Sequence, residues 1–344
     1  MDMARDKIRS GVLGAASIAV TRVLPAMAQA PSVELTALAS RSLDKAVALC
    51  AQAGIERPYG SYDELLADPD IDAVYLPLPN TLHATWAQAA MEAGKHVLCE
   101  KPLSLSLTEI DRLCEVRDRT GRHIEEAFVY RNHPQWTAVR ALLDRGDIGP
   151  VRSAHVTMAR QFLDPADIRN NFDLGGGSLN DMGGYVLTAC PMLFGRRPDR
   201  VVAAIDRDPE LRVDRLSTAL LDYGDAHATI SVSIRSGPDG IGSRQDLSVL
   251  GSRGWLRMDY PLPHAKPTEC HVFVGDESSF GGFPTTTLTF EPVNQYTLQA
   301  ERFSRYLLGD DVPTWPIEDA RNTLELIEAL VESGRNGGWV ATAG

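Results

Sequence analysis

Hydrophobic and polar positions change their rhythm once along this chain. From Ile8 to Phe128 short apolar runs alternate with amphipathic stretches: Ser10–Leu13, Val33–Ser40, Ala73–Pro77, His96–Glu100 and Ile124–Phe128 read as strands. Between them the spacing of Leu107, Ile110, Leu113 and Cys114 predicts a helix, and Asn80 and Ser104 are candidate caps for exposed helical N–H groups. Strands alternating with helices are the signature of βαβ units, so a doubly wound parallel sheet is expected over this half.

After Phe128 the period falls to two. Ala228, Ile230, Val232 and Ile234 interleave with Thr229, Ser231, Ser233 and Arg235, which gives a strand one apolar and one polar face. Val151–Met158, Val201–Ile205, Ser217–Tyr223, Leu247–Leu250 and Trp255–Met258 also read as strands, the last two joined by a turn at Gly251-Ser252-Arg253-Gly254. Helical patterns flank them at Gln135–Leu143 and at the end, where Tyr296, Ala300, Phe303 and Leu307 share one face and Leu324, Ile327 and Val331 another. The expected class is α/β for the first part and α+β, with an antiparallel or mixed sheet, for the second. The change of period sets the boundary, giving domains 1–127 and 128–344, and a chain of 344 residues is long enough for two.

Composition and charge narrow the function. With 44% hydrophobic and 23% charged residues both parts are expected to fold. A net charge of −12 argues against a general affinity for nucleic acid or anionic membrane. The start, with Asp2, Arg5, Asp6, Lys7 and Arg9, does not read as a signal peptide, and no apolar stretch reaches the roughly 20 residues of a membrane span. A soluble, cytoplasmic protein is expected. The five cysteines are scattered without a Cys-x-x-Cys, as suits a reducing compartment, and the eight histidines show no pair at common ligand spacings, so no metal is expected.

Two places address a dinucleotide. Ile8-Arg-Ser-Gly-Val-Leu-Gly-Ala-Ala-Ser-Ile-Ala19 sets a tight turn between a strand and a helix, where the backbone of Gly14, Ala15, Ala16, Ser17 and Ile18 can receive a pyrophosphate at the helix N-terminus. The fingerprint positions read Gly14, Ala16 and Ala19, so the strand, turn and helix order carries this Rossmann assignment more than the glycines do. At the end of the second strand, where an NAD site usually presents an acid, stands Ala39-Ser40-Arg41-Ser42. Arg41 suits a 2′-phosphate and Ser40 a hydrogen bond to it, so NADP(H) is preferred with NAD(H) possible; the plain alternative for Arg41 is a solvated helix-start residue.

Three further sequences belong together: Pro77-Leu-Pro-Asn-Thr-Leu-His83, Glu100-Lys-Pro102 and Gly175-Gly-Gly-Ser-Leu-Asn-Asp-Met-Gly-Gly-Tyr185, supported by Glu126-Ala-Phe-Val-Tyr-Arg-Asn-His-Pro-Gln135 and Ile168-Arg169. In this order the chain resembles the family of glucose-fructose oxidoreductase, inositol dehydrogenase and the rhizopine-catabolism proteins (Gfo/Idh/MocA) over almost its whole length. The resemblance implies an N-terminal Rossmann domain, a C-terminal α+β domain with a large open, mostly antiparallel sheet, and a homodimer or homotetramer formed through that sheet. It implies that Lys101 lies beside the nicotinamide, often with a cis bond to Pro102, and that Pro77, Leu78, Asn80, His83 and Glu100 line the cofactor. Arg169 is a candidate for nicotinamide or substrate by resemblance. Many relatives carry His where this chain has Tyr185; Tyr marks the subgroup similar to dihydrodiol dehydrogenase and aldose 1-dehydrogenases.

The chemistry of these residues is consistent with that role. A free tyrosine titrates near about 10, so Tyr185 needs a cation such as Lys101 to act as a base near neutral pH. If the segment after Ser178 is helical, Asp181 lies one turn before Tyr185 and can bind a sugar hydroxyl. The expected function is therefore hydride exchange between NADP and a sugar or sugar-like polyol, with Lys101 and Tyr185 catalytic. Rival readings stay open: a ketoreductase of nucleotide-linked sugars, a dihydrodiol or dicarbonyl reductase, and a cofactor-binding regulator without turnover. Packed-core or salt-bridge roles for Tyr185 and Lys101, and a structural His83, are the corresponding alternatives at single residues. Selectivity is expected from the loops Gln161–Asn171 and Arg235–Arg244.

Overall fold

A computed structural model describes residues 6–236, 244–264, 268–276, 278–279 and 282–342. Positions 1–5 of the charged start and 237–243 of the second selectivity loop lie outside the described residues. Contacts group the chain into two units, Met1–Val129 with Asn294–Arg321 and Tyr130–Val293 with Asn322–Gly344.

The first unit opens with β1 (Ile8–Leu13), a π-helical turn (Ala19–Val23) running into α1 (Leu24–Met27), β2 (Val33–Ala39) and α2 (Leu43–Ala53). It continues through β3 (Arg57–Tyr59), α3 (Tyr62–Ala67), β4 (Ala73–Leu76), α4 (Asn80–Glu92), β5 (His96–Cys99), α5 (Leu107–Thr120) and β6 (Ile124–Glu126). The six strands form a sheet in the order β3-β2-β1-β4-β5-β6, with every pair parallel. Strand order reverses between β1 and β4, and the crevice outside their carboxyl ends is where such sheets bind ligands. Asn80 and Ser104 do not cap. Pro79 holds the N-cap position of α4 without a side-chain bond, and α5 begins after Ser106. The Ser104 hydroxyl instead accepts the Ser106 N–H at 3.0 Å and bonds Glu109 at 2.5 Å, closing the loop one step upstream.

The second unit contains α6 (Pro134–Arg145), β7 (Val151–Ala159), α7 (Gly184–Phe194), β8 (Arg200–Arg207), β9 (Asp214–Asp222) and β10 (His227–Ser233). Then come β11 (Arg244–Gly251), β12 (Gly254–Met258), β13 (Cys270–Asp276) and β14 (Thr286–Phe290); the chain returns to the first unit for α8 (Gln295–Leu307) and the start of α9 (Ile317–Asn336), and ends on β15 (Val340–Ala341) in the second. Nine strands pair in the order β14-β13-β12-β11-β7-β10-β9-β8-β15. The sheet is mixed: β7 and β10 run parallel, and the other pairs are antiparallel. The period-two pattern does what it predicts, since Ala154, Val156, Ala228, Ile230, Val232, Leu247 and Val249 are buried and α7 packs against β7 and β10.

The linear division at 127/128 misses one return of the chain. Residues 294–321 group with the first unit because α8 buries Ala300 and Phe303 in the core that holds Val33, Leu38 and Tyr75. Glu301 on the same helix accepts the Ser32 N–H and hydroxyl at 2.8 and 2.9 Å, and Thr297 donates to the Ala26 carbonyl at 3.0 Å. Among the described residues no helix is long and apolar enough to cross a membrane.

Candidate active site

In the first unit the turn after β1 is held by Gly14. Its φ is +122°, and a Cβ there would lie 2.8 Å from the Leu78 Cδ2 atom, so both conformation and space require glycine. Its N–H donates to the Ala39 carbonyl at 2.9 Å, which ties the turn to the end of β2. Helix begins at residue 17, and the N–H groups of a first turn have no intrahelical acceptor. Ala15 and Ala16 are half-buried there, Ser17 and Ile18 are exposed, and Ala19 is fully buried where helix and sheet pack. Alanine therefore serves at the third fingerprint position.

At the end of β2, Ser42 caps α2 by accepting the Lys45 N–H, and the buried Ser40 hydroxyl accepts the Ser42 N–H. Arg41 between them is exposed. Across the sheet, β4 delivers Pro77, Leu78 and Asn80, and β5 delivers Glu100 and the half-buried Lys101, followed by a cis bond to Pro102. The Glu100 carboxylate accepts the Tyr75 hydroxyl at 2.7 Å, and the Leu103 N–H donates to Glu126 at 2.8 Å. His83 has a different role from its neighbours. It is fully buried, and its two ring nitrogens lie 2.7 Å from the carbonyl oxygens of Pro102 and Leu78. Burial lowers its pKa against the pull of both carbonyls. It braces the two cofactor-side loops and offers no exposed atom to a ligand.

In the second unit Tyr185 stands in the first turn of α7, half-buried. Its ring centroid is 6.1 Å from that of the buried Tyr130, whose hydroxyl bonds Thr188 at 2.8 Å; Thr188 in turn bonds the Gly184 carbonyl. A π-helical turn (Leu179–Gly183) precedes α7, so the segment after Ser178 is helical as expected, and Asp181 lies on it. Asp181 accepts from Arg169 at 2.7 Å, and Asp167 accepts from the same guanidinium at 3.2 Å. Burial opposes the charge on Arg169, but the two acids outweigh it and raise its pKa. The Phe162 ring packs under this guanidinium at 4.2 Å and under that of Arg160 at 4.9 Å.

The glycine run before Tyr185 passes close to its own chain. A Cβ on Gly176 would lie 2.5 Å from the Arg169 carbonyl oxygen, and one on Gly177 would collide with the Asp214 carboxylate. Asp214 accepts from the Ser178 hydroxyl, the Leu179 N–H and the Ser217 hydroxyl, fixing the start of the helical segment. Asp167, Phe162 and Asp214 carry no motif of their own. Only Asp214, an acid at the mouth of an apolar strand, leaves a trace in the sequence.

A doubly wound sheet with a nucleotide-type turn, joined to a sheet domain that presents a tyrosine at a helix start, defines a two-domain oxidoreductase. The chain belongs to the Gfo/Idh/MocA family: residues 8–128 match its oxidoreductase model with an NAD-binding Rossmann fold, and residues 136–257 match its C-terminal domain. It is 41% identical over 335 residues to an uncharacterized oxidoreductase of Rhizobium meliloti, covering 97% of this chain and 99% of that one. It is 36% identical over 332 residues to a D-xylose 1-dehydrogenase (NADP(+)) of Haloferax volcanii, covering 96% and 98%. The crystal structure of KijD10, a 3-ketoreductase from Actinomadura kijaniata in complex with NADP and TDP-benzene, superposes with a TM-score of 0.83 at 31% identity, covering 95% and 98% of the two chains.

Proposed function

We propose that this oxidoreductase is an NADP-preferring dehydrogenase that oxidises a hydroxyl-bearing carbon of a free sugar or sugar-like polyol, in the manner of an aldose 1-dehydrogenase. The observation that carries the reading is Tyr185, half-buried in the first turn of α7 and preceded on the same helical segment by Asp181 with its partner Arg169. NADP suits the donor set, because an exposed Arg41 stands where an acid would repel a 2′-phosphate. Held by the Gly14–Ile18 turn and Arg41, NADP+ would supply the hydride acceptor for the carbinol carbon.

The residues of the chain handle the proton and the pose. Tyr185 is assigned as the acceptor of the proton of the reacting hydroxyl, and Lys101 as the cation that stabilises the developing charge. Asp181 and Arg169 hold neighbouring hydroxyls, with Asp167 and Phe162 fixing the Arg169 plane. An anomeric carbon yields a lactone, and a ring carbon yields a keto sugar.

The test is NADP+ reduction at 340 nm across a panel of free aldoses, with the Tyr185→Phe variant alongside. Y185F is expected to lose at least about 100-fold in kcat, the low end of a general-base contribution, and to keep NADPH binding. Unchanged turnover in Y185F rejects the assignment. One observation favours a second reading, reduction of a nucleotide-linked keto sugar: Arg160 and Arg169 both lie against Phe162, and Arg235 donates to the Phe162 carbonyl, an aromatic and cationic grouping suited to a diphosphate. NADPH oxidation by such a keto sugar, with no response to free aldoses, selects it.

The protein is assigned to the cytoplasm, with a dimer or tetramer formed through the sheet of the second unit. In support, the outer face of that sheet carries His155, Thr157, Thr218, Thr229 and Ser231, with Leu216 and Leu250 exposed on it. Light scattering at micromolar concentration that returns a monomer mass rejects the assembly.

A further inference from the structure

Three groups that are metal ligands elsewhere meet in the second unit, apart from the residues assigned to catalysis. His133, His264 and Cys270 each offer a ligand atom, and these atoms all lie within 4.8 Å of one another. They come from the residue that caps α6, from the loop after β12 and from the first position of β13. His133 and Cys270 are fully buried, and His264 is half-buried. The His133 and His264 rings stand 5.7 Å apart at 71°, so neither stacks on the other.

The polar groups around them are not balanced as a closed core requires. His133 Nε2 is buried without a hydrogen-bond partner, and so is Oε1 of the fully buried Gln135. The Gln135 side chain reaches the Cys270 thiol. Buried polar atoms are nearly always satisfied, and a cation at this cluster would satisfy the imidazole nitrogen.

We propose that His133, His264 and Cys270 bind a zinc ion, with a solvent molecule completing the tetrahedron. Two imidazoles and a thiolate form a donor set of the borderline, soft kind that zinc prefers over magnesium or calcium. In a tetrahedral site with Zn–S about 2.3 Å and Zn–N about 2.0 Å the ligand atoms stand about 3.3–3.6 Å apart, so loading draws the group together by at most about 1.5 Å. Binding replaces the thiol proton of Cys270, which now faces the Thr268 carbonyl at 3.2 Å. It also moves the His133 proton from Nε2 to Nδ1, giving up the 3.2 Å bond from the Gln135 N–H. Both protons are accounted for, one released to solvent and one kept on the ring.

The ion is structural. Trp136 and Gln135 on α6 already donate to the carbonyls of Pro261 and Tyr260 at 2.7 and 3.3 Å, and the zinc fastens the same segment to the same helix start. The ligand spacing explains why the sequence pattern conceals it: His133 lies far upstream of a His264–Cys270 pair, outside any compact finger motif.

The full-length chain, stripped with a chelator, is titrated with Co2+ and then with competing Zn2+. The expected result is one cobalt per chain with a thiolate-to-cobalt charge-transfer band, displaced by zinc, and a melting temperature raised by zinc. Cys270→Ser removes the band, His264→Asn weakens affinity more than about tenfold, and Cys114→Ser, at a half-buried cysteine outside the group, changes neither. H264N alters a loop residue and keeps the test decisive should C270S fail to fold. A wild-type chain that takes up no cobalt or zinc at micromolar metal overturns the site, as do C270S and H264N variants that keep the wild-type band and affinity.

Discussion

Arg41 sits exposed in a turn whose serines are already committed: the Ser40 oxygen accepts the Ser42 N–H, and the Ser42 oxygen accepts the Lys45 N–H. The turn is thus shaped by the chain itself, and on the proposed function the exposed guanidinium is the group that would meet a 2′-phosphate. A hydrogen bond to a charged group contributes about 1.5–3 kcal/mol, which is roughly 10–100-fold in affinity. Arg41→Ala is expected to raise the KM for NADP+ by that factor and leave the KM for NAD+ nearly unchanged. Steady-state kinetics with both cofactors checks this, and equal losses for the two would remove Arg41 from 2′-phosphate recognition. His83 shows the opposite case, a residue whose position in a cofactor loop misleads. Its nitrogens are spent on the Pro102 and Leu78 carbonyls, so it holds the loops after β4 and β5 together.

Elements were legible in the sequence where burial was uniform or strictly alternating. The first-unit strands stand out because all four positions of Ala73–Leu76 are buried, and β10 because its faces alternate. β3 left no signal: Arg57, Pro58 and Tyr59 are all half-buried, and a proline between polar neighbours argues against a strand. β13 alternates in burial over Cys270–Val274, but the apolar Phe273 on its less buried face, stacked on His271, blurs that alternation in the sequence. In the candidate site, Lys101 and Tyr185 were legible because their neighbours form ordered motifs. The pairing of Arg169 with Asp181 was not, since a loop and a glycine run bring together residues twelve apart. The glycines stand out in the sequence, but the close approaches that require them do not. Gly176 and Gly177 are needed so that the chain can pass its own carbonyls and the Asp214 carboxylate, which in turn fixes the helical segment carrying Asp181 and Tyr185.

At the scale of the whole molecule, the return of residues 294–321 makes the first unit depend on a distant part of the chain. The fastening is electrostatic as well as apolar. Arg302 on α8 pairs with Glu125, whose side chain is fully buried and also accepts from His123 and Thr314 at 2.8 Å. Burial pushes the Glu125 pKa up, but the bonds from His123 and Arg302 outweigh it and hold the value at about 2, against 4.5 for the ordinary side chain. The folded state therefore binds this proton more weakly than the unfolded chain. The contribution to stability is complete above about 4.5 and is lost as pH falls toward 2. Removing Arg302 alone leaves the buried carboxylate with its bonds from His123 and Thr314 but without its arginine, so Arg302→Met is expected to cost about 3 kcal/mol at pH 7. Glu125→Gln leaves nothing to titrate there, so its melting temperature is expected to fall less steeply than that of the wild type between pH 4.5 and 2. Calorimetry across that range checks both variants. Parallel wild-type and E125Q curves would show that the acid sensitivity of the fold arises elsewhere, and that α8 is held by Ala300, Phe303 and the Ser32–Glu301 bonds without help from this pair.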